Sequence, residues 1–263
     1  MNHFIHNQAS RLNTAILTIA CLLAQTSCGD EVAVETLQAR PLQIHVTAAG
    51  FASGKPETRA SDTDYTTTFA EGDQIGITVI ENGNVMLYDN VPYRYHGAVW
   101  APLSADNKVY PYSGDGTITC CLVHYPYSAA MNNLMTKDAI LAAFTPQTDQ
   151  SDYSNYTKSD LMIAEGTISD GTLHVAFAHA LALIEINLPE GSKNPTLRIN
   201  GNDATLTPWW FAENSYRCIV KPATEATLDG GYIQGISGMV WQLSEINFEP
   251  GKYQTLTITN AQE

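Results

Sequence analysis

The clearest alternation of apolar and polar positions runs from Gln74 to Ile80. Ile75, Ile77 and Val79 fall on one face, and Gln74, Gly76 and Thr78 on the other, which is the period of a half-buried β-strand. Asn82-Gly83 comes next as a hairpin-turn signal, and Val85–Tyr88 returns as a second strand. Val91–Tyr95 and Gly97–Trp100 continue as aromatic-rich strands broken by Pro92 and Pro102. From Thr117 to His124 the alternation is regular again. Ile118, Cys120 and Leu122 share one face, and Thr117, Thr119 and Cys121 the other.

The pattern lapses between residues 128 and 160. Ala139–Ala143 fits one helical turn, and Gln147–Asp160 is polar without a period, which reads as loop. Strands resume at Leu161–Ala164. Leu173, Val175 and Phe177 then alternate, with His179 and Leu181 in the same odd phase, but Ile184, Ile186 and Leu188 fall on even positions. A shift of one residue exchanges the two faces, so this switch predicts a bulge or a bend. Pro189-Glu190-Gly191-Ser192 reads as a domain boundary. Shorter strands come after it at Thr196–Ile199, Ala204–Leu206, Tyr216–Val220, Tyr232–Ile236, Val240–Leu243 and Lys252–Thr259. Short strands, Gly/Pro/Asn punctuation and almost no helix predict an all-β chain of two β-sandwiches, residues 43–189 and 190–263.

Ahead of these strands lies a targeting segment, residues 1–27. Arg11 is its only charge, and Ala15–Ala24 is an apolar run too short to span a bilayer as a helix. It ends at Ser27-Cys28, a small residue before a cysteine, which is the form of a lipoprotein processing site with Cys28 acylated. An ordinary secretory signal is the alternative, and Cys21 is the poorer acylation candidate because it lies inside the apolar run. An acyl chain on Cys28 would tie the protein to the outer-membrane lipid without a spanning helix. Residues 28–42 read as a tether, and Gln43–Thr47 as a short strand. A loop of small residues, Ala48–Glu57, then leads to Thr58-Arg59-Ala60, an exposed basic position open to a trypsin-like protease or simply solvated.

Charge narrows the partners. The chain has 13 basic and 27 acidic residues, net −14; loss of residues 1–27 removes only Arg11 and leaves −15. This argues against nucleic acid and against an electrostatic grip on anionic lipid. Beyond Cys28 the cysteines are Cys120, Cys121 and Cys218, too few and too irregular for a disulfide framework or a zinc site.

The chain contains no GxSxG, HExxH, P-loop or dinucleotide fingerprint, and no close carboxylate pair presents itself, so no enzyme and no cofactor is expected. His174 and His179 fall on opposite faces of a strand and do not pair as ligands; His179 reads as a core-edge histidine. Asp149, Asp152 and Asp160 read as polar turn residues rather than a calcium loop. Trp209-Trp210 is the candidate ligand-binding pair, because adjacent strand residues cannot both face one core. One is exposed or sits between the domains.

Several of these segments together resemble one family. They are Cys28, Thr58-Arg59-Ala60, Phe69 with Gly72-Asp73-Gln74-Ile75-Gly76, Trp100, Tyr125-Pro126-Tyr127, Asp149-Gln150-Ser151, Ser159-Asp160-Leu161-Met162, Phe177-Ala178-His179-Ala180-Leu181 and Pro250-Gly251-Lys252-Tyr253. In order and spacing they look like the fimbrillin family, the Mfa-like subunits of lipoprotein-derived (type V) pili. The resemblance covers most of residues 44–259. It implies two tandem transthyretin-like sandwiches, export as a lipoprotein, cleavage between Arg59 and Ala60 with Arg40 the next candidate, and polymerisation by strand exchange with other pilus subunits. Polymerising subunits of this family carry an extra C-terminal strand to donate, and here the sequence stops at Glu263 directly after the last expected strand. The expectation is therefore an adhesive pilus subunit, tip or accessory rather than shaft. The alternative is a monomeric cell-surface lipoprotein that binds a glycan or host ligand through exposed aromatics.

Overall fold

A computed structural model of the chain describes residues 40–53, 65–111, 118–192, 194–199, 204–229, 232–233, 236–237, 240–243 and 246–258. Eight strands come first: β1 (Gln43–Ala48), β2 (Ala52–Ser53), β3 (Gln74–Glu81), β4 (Val85–His96), β5 (Val99–Pro102), β6 (Ile118–Tyr125), β7 (Met162–Ser169) and β8 (Thr172–His179). All but β2 form one seven-stranded sheet in the order β1-β8-β7-β6-β3-β4-β5. Only the β1–β8 pairing is parallel. The ends of this order meet. β1 contacts β5, and Leu42 N donates to Val109 O at 2.8 Å. The first core therefore lies inside a curled sheet, around Ile75, Ile77, Val79, Tyr93, Trp100, Val123, Met162, Val175 and Phe177.

The hairpin expected at Asn82-Gly83 is present, with both residues at positive φ (50° and 78°). The strands expected on either side of Asp89-Asn90 are one strand, β4, whose register against β3 shifts around Val79. β3 differs from a half-buried strand, because its polar face is covered too. Thr78 and the inward face of Gly76 meet a polar cluster on Asn90. Asn90 N donates to Thr78 Oγ1 (3.1 Å), and its side-chain amide donates to Ser128 O (2.8 Å) and Asn132 Oδ1 (2.7 Å). His124 Nε2 lies 2.8 Å from Asn90 Oδ1, and a Cβ on Gly76 would overlap both atoms. Burial pushes the His124 imidazole down to about 4.

Ten further strands follow among the described residues: β9 (Ala182–Asn187), β10 (Thr196–Ile199), β11 (Thr205–Leu206), β12 (Trp209–Ala212), β13 (Ser215–Val220), β14 (Ala226–Asp229), β15 (Tyr232–Ile233), β16 (Ile236–Ser237), β17 (Val240–Leu243) and β18 (Lys252–Thr257). A five-stranded sheet, β12-β13-β9-β18-β2, faces a four-stranded sheet, β11-β10-β14-β17; β15 and β16 pair separately. Between the two sheets lies a second core with Ile184, Ile186, Leu197, Cys218, Leu228 and Phe248.

The division expected at residue 189 cuts through this arrangement. β9 is hydrogen-bonded to β13 and β18, so the chain leaves the first sheet at His179 and has joined the second by Ala182. Of the bulge or bend expected at the phase switch, the structure has the bend, at Ala180-Leu181, and it carries the chain from one sheet to the other. β2 likewise belongs to the second sheet, parallel to β18.

A third core joins the sheets. Leu122 and Ile163 from the outer face of the first sheet meet Leu183, Ile219 and Tyr253 from the second. Ile140 and Phe144 of the intervening segment cover it. That segment carries a 3-10 turn at Ala129–Met131 and two α-helices, α1 (Lys137–Ala143) and α2 (Tyr153–Lys158). Thr136 Oγ1 accepts from Ala139 N, and Asp152 Oδ1 from Asn155 N, each capping a helix start. The stretch read as loop thus contains α2, nucleated by its cap rather than by an apolar stripe. Among the described residues no helix is long and apolar enough to cross a membrane.

Candidate functional site

One short segment touches both large sheets. In β1, Ile44, Val46 and Ala48 pack on the first core while Gln43, His45 and Thr47 face solvent. That alternation lets a six-residue strand close the sheet on its apolar side only. Its register against β8 runs from Gln43 opposite Thr172 to Ala48 opposite Phe177. The chain then crosses to the second sheet, where Ala52 and Ser53 pair with Lys252 and Tyr253 of β18. It leaves the described region at Ser53 and re-enters at Tyr65. Tyr65 O accepts from Phe51 N at 3.1 Å, so the excursion ends beside the strand where it began.

His179 lies under the crossing. Its side chain is fully buried, with Nδ1 2.8 Å from Asp160 Oδ1. Nε2 lies 2.9 Å from Ala49 O and 3.0 Å from Thr67 Oγ1. The Phe51 ring stacks on the imidazole, with 3.7 Å between centroids and 19° between planes. Between these two contacts sits Gly50, where a Cβ would come 2.6 Å from Tyr65 O. Only a residue without a Cβ passes there undisturbed.

Tyr65 anchors the far side. Its ring stacks on Tyr253 at 4.0 Å, and its hydroxyl donates to Glu185 Oε2 at 2.6 Å. Burial, reinforced by that carboxylate, raises the phenol pKa well above its ordinary value. Arg217 donates to the same Glu185 oxygen from Nη2 (3.0 Å) and Nε (3.2 Å), with its guanidinium over the Phe211 ring at 4.0 Å. Beside this cluster opens a cleft of about 280 Å³ whose wall includes Thr67, Tyr153, Tyr156, Asp160 and Trp209. Trp209 lies 5.1 Å from Tyr153 and 5.0 Å from Tyr156, ring centre to ring centre. Trp210 is on the opposite face of β12 and is 60% exposed, so the pair does not form one surface.

Cys28, Arg59 and Ala60 lie outside the described residues. Of the aspartates, Asp149 accepts from Ser151, Asp152 caps α2 and Asp160 holds His179. Sequence reasoning missed Gly50 and Phe51, and read Asp160 as a polar turn residue rather than as the partner of His179. Phe51 and Gly50 sat in a segment read as loop, and the Asp160–His179 pair depends on β7 returning beside β8. The available signal was the alternation Ile44-Val46-Ala48, with glycine and then an aromatic, Gly50-Phe51, shortly after it.

Comparison with known proteins fits this architecture. The family model described as fimbrillin-like matches residues 58–209. A Bacteroides ovatus protein, whose name proposes it as the fimbrium tip subunit Fim1C, is 27% identical over 227 residues, which is 72% of this chain and 41% of that protein. The crystal structure of a fimbrial protein from Bacteroides ovatus superposes with a TM-score of 0.61 at 22% identity, over 83% of this chain and 48% of the other. A structure from the same species, named for a proposed role in cell adhesion, gives 0.55 at 16% identity, over 83% and 91%. A similarly named protein from Bacteroides uniformis gives 0.51 at 17% identity, over 84% and 94%. These structures share the all-β fold, and the chain spans less than half the length of the Fim1C relative and of the first of them. With the fimbrillin-like model covering more than half of its length, the chain belongs to the fimbrillin-like family.

Proposed function

We propose that this protein is a structural subunit of a surface fimbrium, exported as a lipoprotein through Cys28 and matured by cleavage between Arg59 and Ala60. It then assembles with other pilus subunits by strand exchange. The family and fold are those of fimbrial structural subunits, and no enzymatic role is assigned. Similarity to a protein named for a fimbrium tip favours a tip or accessory place over a shaft. The observation that carries the reading is the position of β1 and β2 in the chain. Both precede Arg59, and both complete a sheet edge. A cut after Arg59 leaves them held by contacts alone and severs them from residues 60–263. Three half-buried apolar side chains contribute a few kcal/mol at about 25 cal/mol per Å². Their departure would bare one edge of β8 and one of β18, with unpaired backbone groups ready for another strand.

The test compares cells making the tagged protein with cells making Arg59→Ala. Filaments bearing the tag, with a mature N-terminus at Ala60, are expected for the first, and uncut membrane-held protein for the second. Filament labelling unchanged in Arg59→Ala refutes maturation at Arg59. Cys28→Ala is expected to release the precursor from the membrane fraction. A second reading, a surface lipoprotein that binds a glycan or host ligand, draws support from the aromatic cleft at Trp209 and the exposed Trp210. It predicts tag dispersed over the membrane with no filaments.

A further inference from the structure

We propose, resting on the strand-exchange reading above, that the acceptor groove selects its incoming strand at the His179 slot. The partner is a strand with apolar side chains at three alternate positions, followed after one intervening residue by glycine and then an aromatic ring that stacks on His179. The segment now filling the groove is the template: Ile44, Val46 and Ala48, then Gly50-Phe51.

Most of the groove is permissive. The β1–β8 ladder is made of backbone groups, which any residue but proline supplies. Alternating apolar side chains are common to amphipathic strands, so they distinguish few partners. Two features are narrower. The first is Tyr65 O, which leaves no room for a Cβ at Gly50. The second is the imidazole face. Asp160 and Thr67 hold the ring from positions after Arg59, so two of its three polar partners, one on each ring nitrogen, stay in place when Ala49 leaves with its segment. The slot is pre-formed, and an aromatic entering it meets a ring already fixed, which lowers the ordering cost of binding. A flat ring gains from stacking beyond the area it buries, whereas an aliphatic side chain gains the area alone. The slot also lies where the chain passes from one sheet to the other, so a strand that fills it is in register on both edges.

The test uses the full chain with a sequence-specific protease site placed between Ser53 and Tyr65. After cutting, the native segment remains bound by contacts alone. A labelled peptide of residues 41–53 is added in excess, and its uptake and release are followed by fluorescence anisotropy. The native-sequence peptide is expected to exchange in. Phe51→Ala and Gly50→Ala peptides are each expected to bind at least about tenfold more weakly, about 1.4 kcal/mol. A Phe51→Tyr peptide should stay within about threefold of the native one. In a His179→Ala protein the difference between the native and Phe51→Ala peptides should shrink toward unity, a coupling that general loss of packing does not produce. Because the peptide variants act on unaltered protein, misfolding cannot account for their loss. Equal binding of native, Phe51→Ala and Gly50→Ala peptides overturns the slot and leaves strand exchange standing. Failure of the native peptide to enter while the cut protein stays folded overturns both.

Discussion

Gln150 offers the sharpest test of how the two large sheets are joined. Its side chain is fully buried and acts as a substitute strand. β12 pairs with β13 only from Ser215 to Arg217. Beyond that point the peptide groups of Ile219 have no strand on this side, and Gln150 takes them. Its Oε1 accepts from Ile219 N (2.9 Å), and its Nε2 donates to Ile219 O (2.9 Å) and Gln147 O (3.0 Å). The backbone of Gln150 is itself held, donating to Thr207 O at 2.8 Å. Gln150→Leu keeps the volume and removes every side-chain bond. Gln147 is exposed, and its carbonyl can turn to water. Ile219 is buried, so its N–H is left unpaired and its C=O keeps only the weak Cys218 Sγ–H contact at 3.9 Å, at about 1–3 kcal/mol each. Leucine recovers part of this through apolar burial, about 1 kcal/mol. The expected net loss is about 3 kcal/mol, which for a chain of this size lowers Tm by about 6–12 °C. Urea unfolding followed by tryptophan fluorescence, with thermal melting by far-ultraviolet circular dichroism, measures it. A loss below about 1 kcal/mol with an unchanged m-value would refute the reasoning, because Ile219 would then be satisfied without Gln150.

The pH dependence of stability should carry a signature of His124. Its folded pKa is depressed by burial from 6.5 to about 4, so its contribution is fully present above pH 6.5 and lost as pH falls through about 4. Urea unfolding from pH 7.5 to 4 should show about 3 kcal/mol more loss in the unaltered chain than in His124→Gln, and equal slopes would refute it. Arg217→Met should destabilise by about 3–5 kcal/mol, because Glu185 stays largely buried with its ion partner gone. Adding Glu185→Gln should restore most of that loss, and a double-mutant cycle with no coupling would refute the pair. Burial pushes the Cys121 thiol up to about 12 and the Cys218 thiol higher, while Cys120 is partly accessible. Under native conditions a maleimide read out by peptide mass spectrometry should label Cys120 first and the other two only on unfolding; equal rates would refute this.

Strand identity was largely legible in the sequence, and strand partnership was not. β10 and β17 match the expected bounds, and β3, β8 and β18 differ from expectation only at their ends. Each carries its own period of two between turn residues, so the information is local. α2 was illegible for the converse reason. It rests on the Asp152 cap, and Tyr156 packs against Trp209 of β12 and on the third core, which includes Ile219 of β13.

The candidate site divides the same way. The alternation of Ile44 and Val46 within Gln43–Thr47 announces a strand with one buried face, and Arg59 stands downstream of it in any reading of the chain. The sequence does not reveal that β1 lies parallel to β8, roughly half the chain further on, or that β2 joins a different sheet. Nor does it reveal that His179 and Asp160 lie beneath the crossing. The phase switch at residues 179–184 was visible as a bulge or a bend, but not that the bend changes sheet, because a bulge and a change of sheet leave the same mark on the period. What alternation encodes is which face of each strand must be hidden from water. Which strand hides it is decided by pairings between residues far apart in sequence, set by the closure of the whole fold.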